Sequence, residues 1–369
     1  MTTAPSARSQ EEIRNICARF TIYGDFLVAV PFGTGHINDT YQVTYDQGGV
    51  RLHYTLQRIN HEVFRKPDLV MENIDRVTSH LLEKIRSRRE ETRKRTIRLL
   101  RTFSNHPFIQ DDRGDYWRAY VFVENARSYE VFETPRQAYR AAQAFGEFQC
   151  DLVDLPGARL HETIPDFHNT PKRVAALLDA VREDRAGRAA GVRRELDFVM
   201  ERREETELLL RLHAEGAIPE RITHNDTKAN NLLIDDLTGE GVCVLDLDTV
   251  MPGLALYDFG DMMRGGTSPA EEDEVNLSKV SMRFEMFEAL LTGFLSSAGD
   301  FLTAAERENL PFSGKLITLE TGIRFLTDYL NGDVYFKTRR PTHNLDRCRN
   351  QFRLVESIEH QMNRMMALL

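Results

Sequence analysis

Apolar residues between residues 25 and 60 fall in short β-rich runs, "DFLVAVPFGTGHINDTYQVTY" and "VRLHYTLQRIN", broken by a Gly-containing loop. That pattern predicts an antiparallel meander. Ahead of it, "SQEEIRNICARF" predicts a short helix capped by Ser9, with acidic residues in its first turn. From Asp68 to about Arg95 the spacing changes to that of a helix, with Val70, Ile74, Val77, Leu81, Leu82 and Ile85 on one stripe and a charged tail that reads as a solvated face. "TIRLLRTF" and "YWRAYVFVE" predict two more strands, and "DDRGD" a turn before the second.

Past "NARSYEVFETP" the periodicity is mostly helical. Residues 135 to 154 open with Pro at a first helical position and carry Ala141, Ala144, Phe145, Phe148 and Leu152 on one stripe. Further helices are expected around 172–184, 192–214, 270–298, 314–330 and 345–367, with one β interruption over 231–250. The last helix reads as packing within its own unit. The pattern therefore divides the chain into a sheet-rich part, residues 1–125, and a larger helical part, 126–369, an α+β architecture.

Composition narrows the role. The 369 residues are 41% hydrophobic and 28% charged, ordinary globular values, and the length suggests two to three units. A net charge of -9 gives no bulk electrostatic reason to bind nucleic acid or an anionic membrane surface, so a small-molecule role fits better. Four scattered cysteines without C-x-x-C spacing suit a reducing cytosol, and no stretch has the pattern of a signal peptide or a membrane span. A cytoplasmic monomer is expected.

The chemistry concentrates in "ITHNDTKANNLLID", residues 222 to 235. His224, Asp226 and Asn231 satisfy H-x-D-x-x-x-x-N, the spacing at which a phosphoryl-transfer loop supplies a carboxylate for the acceptor hydroxyl and an amide oxygen for magnesium. Asn and Asp in a plain turn would bond only their own backbone. The following strand, "GVCVLDLDTV", argues against that reading, because Asp246 and Asp248 at alternate positions repel each other unless a cation joins them. Magnesium carried on nucleotide phosphates is such a cation. Asp-Phe-Gly also occurs literally in "YDFGDMMR", but Asp258 lies 32 positions after Asp226. A cap or a brace beneath the loop is its expected role.

"HNDTKANN", "LDLDTV" and "YDFGDMMR" resemble the aminoglycoside phosphotransferase and choline kinase branch of the protein-kinase-like fold. With "GTGHINDTYQV", "LQRIN", "ETIPDFHNTPKR" and "RFLTDYLNGDVYFK", the resemblance narrows to N-acetylhexosamine 1-kinases and runs from about residue 30 to 340. It implies a bilobed fold, ATP and Mg²⁺ as cofactors, and transfer of the γ-phosphate to the anomeric hydroxyl of a free N-acetylhexosamine. Asp226 becomes the base, with Lys228 near the transferred phosphate. Asn231 and Asp246 become magnesium ligands, and Asp248 a supporting or second-metal carboxylate. His224 is expected to hold the loop backbone.

On the nucleotide side, Gly33, Thr34 and Gly35 are expected over the phosphates, although the third glycine of G-x-G-x-x-G is lacking. The lysine expected on the third strand is replaced by Gln57 or Arg58, on opposite faces of the strand, with Arg58 favoured for its charge and Glu72 as a candidate partner on the helix. Main-chain groups near Glu124 and Ala126 are implied at adenine. For the acceptor, His36 and Asn38, His168 beside Phe167, an i,i+4 pair Arg324 and Asp328, and Tyr335 are the candidates, each with the bland alternative of core packing or a surface ion pair. The helix carrying Arg324 should stop at Asn331-Gly332. Two other functions stay open: the same fold acting on choline, homoserine, methylthioribose or an aminoglycoside, and a nucleotide-binding pseudokinase, suggested by the missing lysine.

Overall fold

The computed structural model describes residues 8–33, 37–88 and 95–369, and the chain divides into two compact units, Met1–Ala126 and Arg127–Leu369. In the first, Ser9 and Glu12 cap α1 (Gln10–Cys17) reciprocally, satisfying two backbone donors at its start. Then come β1 (Asp25–Pro31), β2 (Asp39–Gln47), β3 (Val50–Ile59), α2 (Pro67–Ser87), β4 (Ile109–Gln110) and β5 (Tyr116–Val121). The strands form one antiparallel sheet in the order β1-β2-β3-β5-β4. Gln47 pairs with Val50, so Gly48 and Gly49, at φ 66° and 89°, make a two-residue hairpin whose positive φ values match the strand twist.

One face of this sheet buries Val43, Tyr45, Leu56, Trp117 and Ala119 with Ile13 and Ile16 of α1. Alternation sends Gln57 and Arg118 to the other face, where Arg118 Nη1 lies 3.9 Å from Met71 Sδ of α2. Two expectations need correction here. α2 ends at Ser87 rather than near Arg95, and Arg88 is already extended. "TIRLLRTF" forms isolated bridges, Leu99 to Tyr120 and Thr102 to Phe20, rather than a strand. Its backbone is shared: Leu100 N donates to Ala119 O at 2.8 Å, while Arg101 O accepts from Thr21 N at 2.8 Å, so no continuous ladder can grow on either side.

At the division lies β6 (Ala126–Arg127). The second unit then runs through α3 (Pro135–Leu152), α4 (Thr170–Glu183), α5 (Arg193–Glu201), α6 (Leu208–Ala214), β7 (Arg221–Thr223), β8 (Leu232–Asp235), β9 (Gly241–Val244), β10 (Met251–Gly253), α7 (Ala255–Thr267), α8 (Phe284–Ala298), α9 (Ala304–Glu308), α10 (Leu310–Leu330) and α11 (His343–Met366). Its main core joins α3, α7 and α8 through Ala141, Phe145, Phe259, Met263, Phe287 and Phe294. α3 and α8 touch backbone to backbone at Gly293, where a Cβ would come within 2.2 Å of Tyr139 O. α10 and α11 share a second core through Ile323, Leu326, Phe352 and Val355.

The helix expected over 192–214 is three pieces, because Arg202 turns to Glu359 and Lys315 of α10 takes Glu205, which draws the charged middle inward. The helix expected over 270–298 begins only at Phe284. The preceding acidic stretch is not a solvated helical face; its carboxylates and carbonyls serve as acceptors for Arg264, Arg340, His343 and Asn350.

Candidate active site

β7 and β10 pair antiparallel, a ribbon the hydrophobic pattern did not announce, and the loop from His224 to Asn231 starts where β7 ends. Asp258, on the first turn of α7, accepts from His224 N at 2.9 Å, Asn225 N at 2.7 Å and Gln149 Nε2 at 2.6 Å. Thr227 Oγ1 donates to Asp258 O at 2.6 Å. The literal Asp-Phe-Gly is therefore a brace beneath the loop. Burial keeps the Asp258 carboxyl above its usual range, even against these donors. Asn225 takes φ 65°, which Asn tolerates, and its Nδ2 bonds Thr249 O at 2.9 Å. Between Phe145 and Phe148, the His224 ring donates from Nε2 to Leu245 O at 2.7 Å and accepts from Asp226 N at Nδ1, 3.3 Å away. One imidazole thus ties the loop to the segment leaving β9.

With its backbone so fixed, Asp226 presents Oδ2 to Lys228 Nζ at 3.0 Å and to Asn231 Nδ2 at 3.0 Å, and the same amide donates to Asp226 O at 2.8 Å. Burial opposes ionising Asp226. The ammonium of Lys228, its hydrogen bond and the Arg264 guanidinium outweigh that and hold the carboxyl below its usual range. Asp226 in turn raises Lys228 above the ordinary ammonium value; burial acts the other way, and Asp246 and Asp261 add to the raising field. Asp261 stands three positions after Asp258 in the same "YDFGDMMR" string. It lies one helical turn after Asp258 on α7, is 5% exposed, gives Oδ1 to Arg264 Nε at 2.9 Å, and leaves Oδ2 buried without a partner. The i,i+3 repeat Asp258, Asp261, Arg264 was the available signal.

Leu245 N donates to Asn231 O at 2.8 Å, which ties the backbone just before Asp246 to Asn231. The two-carboxylates-on-one-strand argument needs correction, because β9 ends at Val244 and Asp246 adopts φ 54°, left-handed and exposed. Asp248 follows on a single 3₁₀ turn and is 1% exposed, so the chain has left the strand and the two carboxylates no longer share a face. The donor set fits a magnesium ion carried on phosphates. Asn231 spends its NH₂ on Asp226 and so offers Oδ1, and Asp246 offers a carboxylate. One or two protein oxygens are what Mg²⁺ takes when phosphates and water complete its shell. Among the described residues, no group of three or more His, Cys, Asp or Glu is arranged to hold a metal alone.

The acceptor candidates of this unit fare differently from one another. His168 is buried; Nε2 donates to Asn225 O at 3.2 Å and Nδ1 meets Glu320 Oε1 at 2.8 Å, so its ring braces the loop beside Asp226. The Arg324–Asp328 pair is not made. Asp328 instead accepts from Val334 N at 3.0 Å, Tyr335 N at 2.8 Å, Phe336 N at 2.9 Å and Asn344 Nδ2 at 2.9 Å, because the chain turns back after α10 and its free backbone donors capture the carboxylate. The helix does stop at Asn331, with Gly332 at φ 93°. Arg324 lies over the rings of Phe167, Phe336 and Tyr335 at 5.3, 5.6 and 6.0 Å, and Tyr335 is 56% exposed.

In the N-terminal unit, Gly33 has φ 81°, while Thr34, Gly35 and His36 lie outside the described residues. Asn38 Oδ1 accepts from Asn60 N at 3.0 Å. The preference for Arg58 is corrected: it lies on the Trp117 face, bound to Asp39 and Asp115, away from the α2 face. Gln57 is on the α2 face and accepts from Arg118 Nε at 3.0 Å. A cation on that face is Arg118 of β5, 1% exposed and over the Tyr120 ring. Only strand pairing could reveal it, since Gln57 and Arg118 are register partners 61 positions apart. Glu72 is exposed. Glu124 bonds His53 through its side chain at 2.7 Å and Arg95 Nη1 through its carbonyl at 2.6 Å, and Ala126 sits in β6.

An antiparallel-sheet unit followed by a helical one, with an Asp-Lys-Asn loop and a carboxylate just past the next strand, defines a protein-kinase-like phosphotransferase. Solved structures share the fold at low identity. An aminoglycoside phosphotransferase from Alicyclobacillus acidocaldarius is 13% identical over 98% of each chain, with a TM-score of 0.57. Choline kinase from Cryptosporidium parvum is 12% identical over 97% of this chain and 98% of that one, also at 0.57. Spectinomycin phosphotransferase, solved with ADP and spectinomycin, is 12% identical over 97% and 99%, at 0.53. Residues 28–279 match the phosphotransferase enzyme family, APH, and the chain belongs to that family. It is accordingly an enzyme that transfers phosphate to a hydroxyl acceptor.

Proposed function

We propose that this enzyme transfers the γ-phosphate of ATP to the anomeric hydroxyl of an N-acetylhexosamine, giving the sugar 1-phosphate. The observation that carries the transfer chemistry is the Asp226 carboxylate, held between Lys228 Nζ and Asn231 Nδ2 with its carboxyl pushed down, hence ionised at neutral pH and able to take the hydroxyl proton. Lys228 lies where it can follow negative charge from the carboxylate to the moving phosphoryl group, while Asn231 Oδ1 and Asp246 are the residues that would hold magnesium. When bound, that ion neutralises charge on the phosphates. Everything else is positioning: Asp258, His224 and His168 fix the loop backbone so that the carboxylate need not reorganise.

The anomeric acceptor is supported by the sequence stretches shared with N-acetylhexosamine 1-kinases and by the aromatic rings around Arg324, a surface suited to a sugar's C–H face. On the α2 face of the N-terminal sheet, Arg118 supplies the charge of the missing lysine, which weighs against a pseudokinase. A second reading, another small alcohol such as choline or an aminoglycoside, is favoured by the fold neighbours named above. Labelled ATP and magnesium offered with a panel of N-acetylglucosamine, N-acetylgalactosamine, choline, homoserine, methylthioribose and kanamycin separates the two. Transfer to the hexosamines is expected, and Asp226→Asn should lower kcat about a thousandfold. Transfer only to a non-sugar acceptor would overturn the proposal.

A further inference from the structure

Two arginines on different helices meet at one phenylalanine. Arg173, in the first turns of α4, donates from Nη2 to Phe167 O at 2.8 Å and to Asp166 O at 3.3 Å, while its Nε is buried with no hydrogen-bond partner. Arg324, on α10, lies over the ring of the same Phe167 and of Phe336 and Tyr335, and among the described residues its guanidinium makes no hydrogen bond or ion pair. The carboxylates nearby accept their hydrogen bonds from other groups, although the charge of Glu320 still acts on both guanidiniums. Glu320 gives Oε1 to His168 and Oε2 to Thr170 at 2.7 Å, and Asp166 gives its oxygens to Lys172 and Asn169. Burial first, and then the charge of Arg324, push Arg173 below the ordinary guanidinium range, against opposing influences from Glu320, Tyr335 and Asp166 that do not cancel the shift.

This concentration of positive charge sits in a chain whose net charge is -9. It is also next to the chemistry: Phe167 adjoins His168, whose Nε2 bonds the carbonyl of Asn225, the residue before Asp226. A neutral carbonyl could occupy the open N–H groups but would leave the part of the guanidinium repulsion that Glu320 and Asp166 do not offset, whereas an anion meets both. The aromatic rings hold Arg324 flat without neutralising it.

We propose that Arg173 and Arg324 form a paired-guanidinium subsite for an anionic substituent on the acceptor, so that the preferred substrate is an acidic hexosamine derivative rather than a neutral one. This rests on the reading of the enzyme as a sugar kinase. The test compares N-acetylglucosamine with N-acetylmuramic acid, glucuronic acid and N-acetylglucosamine 6-phosphate, the last three distinguishing carboxylate from phosphate and one ring position from another. At low ionic strength, kcat/KM for at least one acidic sugar should exceed that for N-acetylglucosamine by about tenfold, the worth of one charge-assisted bidentate contact. The preference should shrink as salt is raised. Arg324→Gln and Arg173→Gln should each cost the acidic sugar more than the neutral one, and Arg324→Lys should retain part of the preference; thermal melts of each variant identify any that fail to fold. No preference in the intact enzyme, or a preference untouched by Arg324→Gln, overturns the subsite. Calorimetric titration of the same sugars without nucleotide separates the two layers. Binding of an acidic sugar by an enzyme that phosphorylates none of them supports the subsite and sinks the sugar-kinase reading, while unselective phosphorylation of neutral sugar does the reverse.

Discussion

Asp226 and Lys228 set each other's charge, and that coupling fixes how the enzyme should respond to acid. Because the carboxyl is held below its usual range chiefly by the Lys228 ammonium, working against burial, activity that needs the ionised form is present at neutral pH and is lost only as pH falls through that lowered value. Lys228→Met removes the largest opposing influence and leaves the burial. The acid limb of the kcat/KM profile should then move to higher pH, by about one unit or more, a shift read directly from initial rates across a buffer series. A limb that stays put would mean that Lys228 does not govern the base. That His224, Asp226 and Asn231 share one loop could be read from spacing alone, since all three lie within eight residues of each other. Arg118 could not, because its significance comes from lying opposite Gln57 across two strands.

At the scale of elements, the turn that follows α10 shows how one carboxylate can organise a loop. Asp328 takes three consecutive backbone donors, from Val334, Tyr335 and Phe336, and with Asn344 it fixes the aromatic residues that surround Arg324. Asp328→Ala leaves those donors without their acceptor and should cost about 3 kcal/mol, given several bonds to one charged group. Amide exchange at residues 334–336 should speed up, and KM for the acceptor should rise more than kcat falls. Slow, unchanged exchange there would show that the loop is held by other contacts. The i,i+4 spacing of Arg324 and Asp328 suggested a helix-face pair, but spacing along one helix cannot register a competing claim from a loop that returns to it. The helices over 192–214 and 270–298 were overestimated for the same reason: their charged stretches look like solvated faces until arginines, a lysine and a histidine from distant elements claim them.

For the whole molecule, the proposed magnesium ion would serve catalysis rather than folding, because among the described residues Asn231 Oδ1 and Asp246 of the second unit are the groups proposed to hold it. Chelation with EDTA should abolish phosphate transfer while leaving the thermal midpoint of the nucleotide-free enzyme unchanged, a contrast that a melt and an activity assay on one sample will show. Among the described residues, no helix is long and apolar enough to cross a membrane. What the sequence determined by itself was whatever is encoded locally: most strand and helix periods, the capped start of α1, the stop at Asn331-Gly332, and the gathering of His224, Asp226 and Asn231 in one loop, since each depends on residues within a few positions. The tertiary structure alone decided which strand face carries Gln57 and Arg118, that Asp246 and Asp248 part company, and that Arg173 meets Arg324. Those outcomes depend on strand register and helix packing, where the energy of a side chain is set by partners tens or hundreds of residues away.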